Sequence, residues 1–216
     1  MADKERLAEQ IRAEQDDFAT LMSGLTDGQW AVPSLCEGWT VRDAVVHTAW
    51  HIHLQAMGYV KDVSQFVAFG GAKFDAKQRA RDGARSNESL IDWLASPAGV
   101  SQNNLGELIV HQQDVRRPLG LTRVIAPDRL AWALSYSVSP YGGSYVGLGC
   151  GSYKRTRDLH LIATDIGWSG GQGLEIRGPG EAILMAINGR GDALNDLEGP
   201  GVEVLADRVP AHAYAA

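Results

Sequence analysis

The sequence has few of the features that mark secreted, membrane-spanning or nucleic-acid-binding proteins. Its two cysteines, Cys36 and Cys150, are too few for a disulfide scaffold in 216 residues and lie outside any CxxC pattern. No apolar run approaches the length of about 18 residues that spans a membrane, and the charged first residues lack the apolar stretch of a signal peptide. A net charge of −6 argues against a basic nucleic-acid-binding face. We therefore expect a cytoplasmic protein that binds neither membranes nor nucleic acids.

The first part of the sequence is dominated by helical patterns. Apolar residues recur at three-, four- and seven-residue intervals near the start, which indicates an amphipathic helix. Thr40 and Asp43 have the spacing of a capping box and predict the start of a second helix. Helices are expected over the ranges 3–23, 40–57, 74–94 with a break near Asp82-Gly83, 104–117 and 127–138. We count four main helices among these ranges. Four helices with such connections favour an antiparallel bundle.

The pattern changes after Gly151, where short segments predict a small α+β domain. Strands are expected over 159–164, 174–176 and 202–205, and helices over 179–187 and 191–197. The glycine-rich stretch 167–171 lacks the context of a dinucleotide site and is interpreted as a hairpin connection. The expected fold is therefore mainly α, with a helical bundle over residues 1–150 and a small α+β domain over residues 151–216.

One predicted helix carries a candidate metal site. Glu107 and His111 are one helical turn apart and share a face, as ligands do in the metal sites of helix bundles. His47, expected on the buried side of the second helix, is the candidate third ligand, and three protein ligands leave the open position that a catalytic zinc needs. His51, one turn later, could compete for this role. Asp114 either faces solvent or orients His111.

Each of these residues also has an ordinary structural interpretation. An isolated Glu-x-x-x-His pair is more often a surface pair than a pair of ligands, and His47 could be a core histidine satisfied by one hydrogen bond. Cys36 is interpreted as a small buried hydrophobe rather than a nucleophile or a thiolate ligand. The spacing alone therefore leaves the metal site as one hypothesis among several.

Three separated motifs, in chain order, resemble the mycothiol-dependent maleylpyruvate isomerase family of the DinB-like superfamily. The first is Trp30-x-x-Pro33-Ser34-x-Cys36-x-Gly38-Trp39-Thr40-Val41-x-Asp43, followed by His47. The second is Glu107-x-x-x-His111-x-x-Asp114, followed by Arg116-Arg117-Pro118-Leu119-Gly120. The third comprises Asp165-x-Gly167-Trp168, Gly178-Pro179-x-Glu181-Ala182, Gly189-Arg190 and Leu197-x-Gly199. The resemblance therefore covers essentially the whole chain.

This resemblance implies a DinB-like metal-binding four-helix bundle with His47, Glu107 and His111 as the ligands of a divalent metal, usually zinc. It also implies a thiol-dependent enzyme, an S-transferase or isomerase, in which the metal activates mycothiol toward a small electrophile. Mycothiol is a cysteinyl sugar, and a divalent cation favours the nucleophilic thiolate form of such a thiol. The expected partners are therefore this thiol and a small electrophilic substrate, bound by a monomer or a homodimer.

An arginine near such a metal could bind an anionic substrate through two hydrogen bonds. Arg79, Arg81 and Arg85 are candidates because they lie between the two metal-binding helices in sequence. Arg116 and Arg117 are further candidates, although both also fit the preference for cations at a helix C-terminus. The residues that bind mycothiol stay unassigned.

Two other functions are compatible with the same three ligands. One is a non-catalytic metal-binding or sensor protein that keeps the fold. The other is a metal-dependent hydrolase in which water, rather than a thiolate, attacks the substrate. The ligands alone do not discriminate among the three functions.

Overall fold

The first compact unit extends to Leu121, and the elements among its described residues are helices. The computed structural model of the chain describes residues 2–53, 71–140 and 151–209. The helices of this unit are α1 (Ala2–Ser23), α2 (Asp27–Trp30), α3 (Val41–His53), α4 (Gly71–Asp82), α5 (Asn87–Ala95) and α6 (Gln102–Arg116). The predicted end of the second helix near Met57 lies outside the described residues. Within the described ranges, no helix is long and apolar enough to cross a membrane.

Four of these helices surround a common core. Helices α1 and α3 each pack against both α5 and α6, and α4 packs against α3. The largest side chains of this core are fully buried: Phe18, Met22, Ile52, Leu90, Leu94, Leu105, Leu108 and Ile109. The predicted four-helix arrangement is therefore present, and its third helix is divided into α4 and α5 at the predicted break.

The predicted capping box is confirmed at the start of α3. The Asp43 carboxylate accepts hydrogen bonds from the Thr40 backbone N–H at 2.9 Å and from the Thr40 hydroxyl at 2.7 Å. The Thr40 Oγ1 accepts in turn from the Asp43 backbone N–H at 3.2 Å. These bonds satisfy N–H groups that have no partner within the helix, and they fix the first turn of the helix that carries His47.

The second unit begins at Thr122 and combines helices with a three-stranded sheet. Its strands are β1 (Leu159–Ala163), β2 (Trp168–Gly171) and β3 (Leu174–Gly178), in the order β2-β1-β3. Strand β1 pairs antiparallel with β2 and parallel with β3. Its helices are α7 (Pro127–Ser137), α8 (Ser152–Arg155), α9 (Gly180–Ile187), a 3-10 helix (Gly191–Asp196) and α10 (Val202–Ala206). The predicted fold class, mainly α with a small α+β part, is confirmed.

Two predicted elements of this unit are wrong in part or in whole. The stretch 167–171 was expected to be a connection, but Trp168–Gly171 is strand β2. Gly171 has φ +78°, and a Cβ there would lie 2.3 Å from the Leu159 carbonyl oxygen, so this pairing requires glycine. The stretch 202–205 was expected to be a strand and is helix α10. Packing of α10 against the 3-10 helix overrides the strand preference of its valines.

Helix α7 packs in the second unit, although the predicted domains, 1–150 and 151–216, place it in the first. Its neighbour is α9, and both helices are lined by fully buried apolar side chains such as Leu134 and Leu184. The helical pattern of α7 resembles that of the bundle helices, so its packing partner is not visible in the sequence. Residues 141–150, which precede the predicted boundary, lie outside the described residues.

Candidate metal centre

Helices α3 and α6 bring the three predicted ligands together. The Oε2 atom of Glu107 lies 3.2 Å from Nε2 of His111 and 3.7 Å from Nε2 of His47. One donor atom from each of the three side chains lies within 4.8 Å of the other two. Donors held about 2.1 Å from a tetrahedral ion lie about 3.4 Å apart, so this spacing fits a single divalent ion such as zinc.

The three side chains of the site differ in burial. The side chain of His111 is 1% exposed, whereas that of Glu107 is 14% exposed. The His47 ring stands edge-on to the His111 ring, with 4.7 Å between centroids, and the centroid of the Trp39 ring lies 5.0 Å from that of His47. Of the three donor side chains, that of Glu107 is therefore the most exposed and that of His111 the most buried.

A buried hydrogen-bond network contacts His111 at Nδ1, the ring nitrogen that does not face Glu107. Its Nδ1 lies 2.8 Å from Oδ2 of Asp114, and the Cys36 thiol donates to the same oxygen at 3.2 Å. Asp114 is fully buried, so the predicted exposure of its side chain to solvent is wrong. Its contact with Nδ1 supports the other predicted role, which is to orient His111.

Cys36, His111 and Asp114 also have donors within 4.8 Å of one another. We interpret them as hydrogen-bonded, because 2.8 Å is shorter than the spacing of donors around a metal.

His51 borders the site without joining the group of three. Its Nδ1 lies 3.8 Å from Oε2 of Glu107, and its Nε2 lies 2.9 Å from the side-chain nitrogen of Asn103. Asn103 was not predicted as a site residue, although it precedes Glu107 by one helical turn and so shares its face.

His53 lies elsewhere, as its angular position on the helix predicts. Its Nδ1 is 2.6 Å from the Ala49 carbonyl oxygen and its Nε2 is 3.0 Å from the Ser96 carbonyl oxygen. Its ring also stacks on that of Trp93, with 6.1 Å between centroids. These contacts make His53 a structural residue between α3 and the end of α5.

Electrostatics keep Glu107 in its anionic, metal-binding form. Burial by itself would raise the pKa of Glu107. The charge of His51 and the nearby ring nitrogens of His111 and His47 outweigh burial and hold the pKa of this carboxyl well below its usual range. Because this carboxylate stays ionised in acid, protons compete less with a metal ion for it.

Of the predicted arginines, Arg79 lies beside the candidate site. Its guanidinium carbon is 4.5 Å from the centroid of the Trp39 ring, and that ring in turn contacts His47. Its Nη1 lies 3.6 Å from Oδ1 of Asp43. Trp39 thus connects a cation on α4 with a candidate ligand on α3, a link that the sequence motif alone did not reveal.

The other predicted arginines make contacts away from the three donors. Arg85 donates to Oδ1 of Asp82 at 3.0 Å, and Arg81 donates to Oδ2 of the same carboxylate at 2.8 Å. Arg116 lies 3.6 Å from Asp17, on α1. These contacts tie helix ends and neighbouring helices together, and the structure does not bring these side chains to the metal centre.

Residues 11–102 match the family described as "Mycothiol maleylpyruvate isomerase N-terminal domain". The matched segment includes Cys36, Trp39, His47 and Arg79, and it ends before Glu107 and His111. The predicted resemblance is thereby confirmed for this part of the chain. No curated protein matches the sequence.

Two solved structures match most of the chain. The crystal structure of the mycothiol-dependent maleylpyruvate isomerase has a TM-score of 0.54 at 11% identity, covering 91% of this chain and 92% of that chain. A mutant of that isomerase has a TM-score of 0.49 at 13% identity, with the same two coverages. At this identity, the first match shows a shared fold.

Proposed function

We propose that this chain is a metal-dependent enzyme that uses a small thiol. The proposal is supported by the match of residues 11–102 to the mycothiol maleylpyruvate isomerase N-terminal domain family. The thiol would be mycothiol, and the reaction would be its transfer to a small electrophile or a thiol-assisted isomerisation. The observation that carries the proposal is that donor atoms of His47, on α3, and of Glu107 and His111, on α6, lie within 4.8 Å of one another.

The donor set fits a catalytic zinc better than a structural one. Structural zinc sites are closed by four protein ligands, whereas catalytic sites have three and keep a position for another ligand. The described residues supply two imidazoles and one carboxylate at this centre. When bound, such an ion favours the thiolate form of a thiol that reaches it.

The residues around the donors would orient both the metal and the substrate. Asp114 holds the His111 ring so that Nε2 faces Glu107 and the metal position. Arg79 would bind an anionic group of the electrophile, since guanidinium binds carboxylates through paired hydrogen bonds. Its contact with the Trp39 ring would hold the guanidinium in place beside His47.

Metal content tests the ligand assignment. Elemental analysis of the purified protein should find zinc in the wild type and in His160→Ala, and much less in His111→Ala. His160 is a matched control because it lies on β1 of the second unit. Equal zinc in the wild type and in His111→Ala would contradict the assignment of the ligands.

Thiol consumption tests the chemistry. The protein is incubated with mycothiol and a panel of electrophiles, with glutathione and cysteine as alternative thiols and the metal-stripped protein as the blank. Consumption of mycothiol well above the blank is expected. If zinc is bound but no thiol is consumed, a non-catalytic metal-binding protein is favoured. If esters or amides in the panel are cleaved without thiol, a hydrolase is favoured.

A further inference from the structure

We infer that Cys36 is a positioning residue for the metal centre, acting through Asp114 on His111. The inference rests on the proposed function, because it concerns the ligand set proposed there. Its basis is that one carboxylate oxygen, Oδ2 of Asp114, accepts from both the Cys36 thiol at 3.2 Å and the His111 Nδ1–H at 2.8 Å. Cys36 is thereby given a role other than that of a ligand or a nucleophile.

Two donors at a single oxygen restrict the rotation of a carboxylate more than one donor does. The Asp114 side chain has two chemically equal oxygens, and rotation about its last bond exchanges them. The thiol of Cys36, approaching from the loop before α3, restrains this rotation and so keeps one oxygen in line with Nδ1 of His111. The orientation of the imidazole and the direction of its Nε2 toward Glu107 then follow from that oxygen.

The loop that carries Cys36 is held by bonds that do not involve its thiol. Ser34 and Trp39 are joined by a backbone hydrogen bond of 2.8 Å, and Pro33 pairs with Thr40 in an antiparallel bridge. The Leu35 N–H donates to the Asp114 backbone carbonyl at 3.1 Å, which ties the loop directly to α6. We therefore expect the loop to keep its place when the thiol is replaced, so that the main change is at the carboxylate.

A simple packing role for Cys36 predicts a different response to substitution. Cys36 is fully buried, so a purely apolar role would be preserved best by valine or alanine and worst by the polar serine. A positioning role requires a hydrogen-bond donor at this place, and serine supplies one. The two roles therefore rank the same substitutions in opposite orders.

The test measures zinc affinity by competition with a chromophoric chelator in the wild type, Cys36→Ser, Cys36→Ala and Cys36→Val. Residues that orient metal ligands typically change affinity about 10- to 100-fold. Because Cys36 acts through one further residue, a loss of about tenfold is expected for alanine and valine, and serine should stay within about threefold of the wild type. Wild-type affinity in Cys36→Ala and Cys36→Val, or weaker affinity in serine than in valine, would overturn the inference.

A second measurement tests the positioning role of Cys36 in the metal-free protein. In the metal-free protein, the His111 Nδ1–H is followed by ¹⁵N NMR and assigned by its loss in His111→Asn. Slow exchange is expected in the wild type and Cys36→Ser, and faster exchange in the alanine and valine variants. Equal exchange in all four proteins would overturn the inference, whether or not the wild type binds zinc. Absence of zinc from the wild type would refute the proposed metal site and would leave this exchange test valid.

Discussion

The Nδ1 atom of His111 lies 2.8 Å from Oδ2 of Asp114, and neither side chain is more than 1% exposed. The carboxylate accepts the Nδ1–H, so the other ring nitrogen, Nε2, is the one directed at Glu107. A carboxylate behind a histidine in this way fixes its tautomer and raises its basicity as a ligand. The two residues are three apart on α6, so the helix itself sets their separation.

Asp114→Asn should weaken zinc binding about 10- to 100-fold, the usual effect of removing a partner that orients a histidine ligand. The amide can present an N–H to Nδ1 instead of accepting from it, and this favours the tautomer whose Nε2 carries the proton. Chelator competition measures the loss. Asp92→Asn, the same change at an exposed position of α5, should leave zinc affinity unaltered. Equal affinities in the two variants would refute this role for Asp114.

Glu107→Gln should flatten the acid dependence of stability in the metal-free protein. The pKa of Glu107 is lowered in the folded chain, against the opposing effect of burial, by the charge of His51 and by the nearby rings of His111 and His47. As the pH falls below about 4.3, the ordinary value for glutamate, the unfolded chain therefore takes up this proton before the folded one does. The wild type should lose stability in this range, as the lowered pKa is approached.

Urea unfolding midpoints of the two metal-free proteins, measured from about pH 4.3 downward, provide the check. The midpoint of the wild type should fall more steeply than that of Glu107→Gln. Parallel curves would show that Glu107 titrates at the same pH in the folded and unfolded chains. The comparison is restricted to this acid range because the histidines, which titrate near pH 6.5 in general, are then protonated in the unfolded state of both proteins.

The parts of the fold and site that the sequence predicted correctly depend on short-range periodicity. The capping box of Thr40 and Asp43 involves neighbours in sequence, and Glu107 and His111 share a face by helix geometry alone. The position of His47 opposite them follows from its place among the buried residues of α3. These relationships need only the regular geometry of one helix and the burial of its apolar side.

Relationships that depend on which elements pack together were not predictable in this way. Nothing local distinguishes Arg79, which lies on Trp39, from Arg85, which pairs with Asp82. The contact of Cys36 with Asp114 joins a loop to a helix far along the chain. Helix α10 likewise contains two valines, which favour strands, and its packing against the 3-10 helix is not visible in the sequence.

Thr40→Val should destabilise the protein by about 1 kcal/mol, the usual cost of losing a helix-capping side chain. The substitution keeps the volume of the side chain but removes the oxygen that accepts from the Asp43 N–H. Urea denaturation measures the change in the free energy of unfolding. Thr20→Val, at an exposed position of α1, is the matched control and should change it by less than about 0.5 kcal/mol. Equal effects of the two substitutions would contradict a capping role.

Arg79→Gln should lower kcat/KM about tenfold or more for an anionic electrophile and change it little for a neutral one, because the lost interaction is with the charge. Zinc content should be unchanged, since Arg79 contacts Trp39 and Asp43 and is not among the metal ligands. Arg81→Gln is the matched control: it removes the same charge from the same helix, where the side chain is 54% exposed and bonded to Asp82. A loss of similar size for both electrophiles, or for both variants, would mean that Arg79 stabilises α4 instead of recognising substrate.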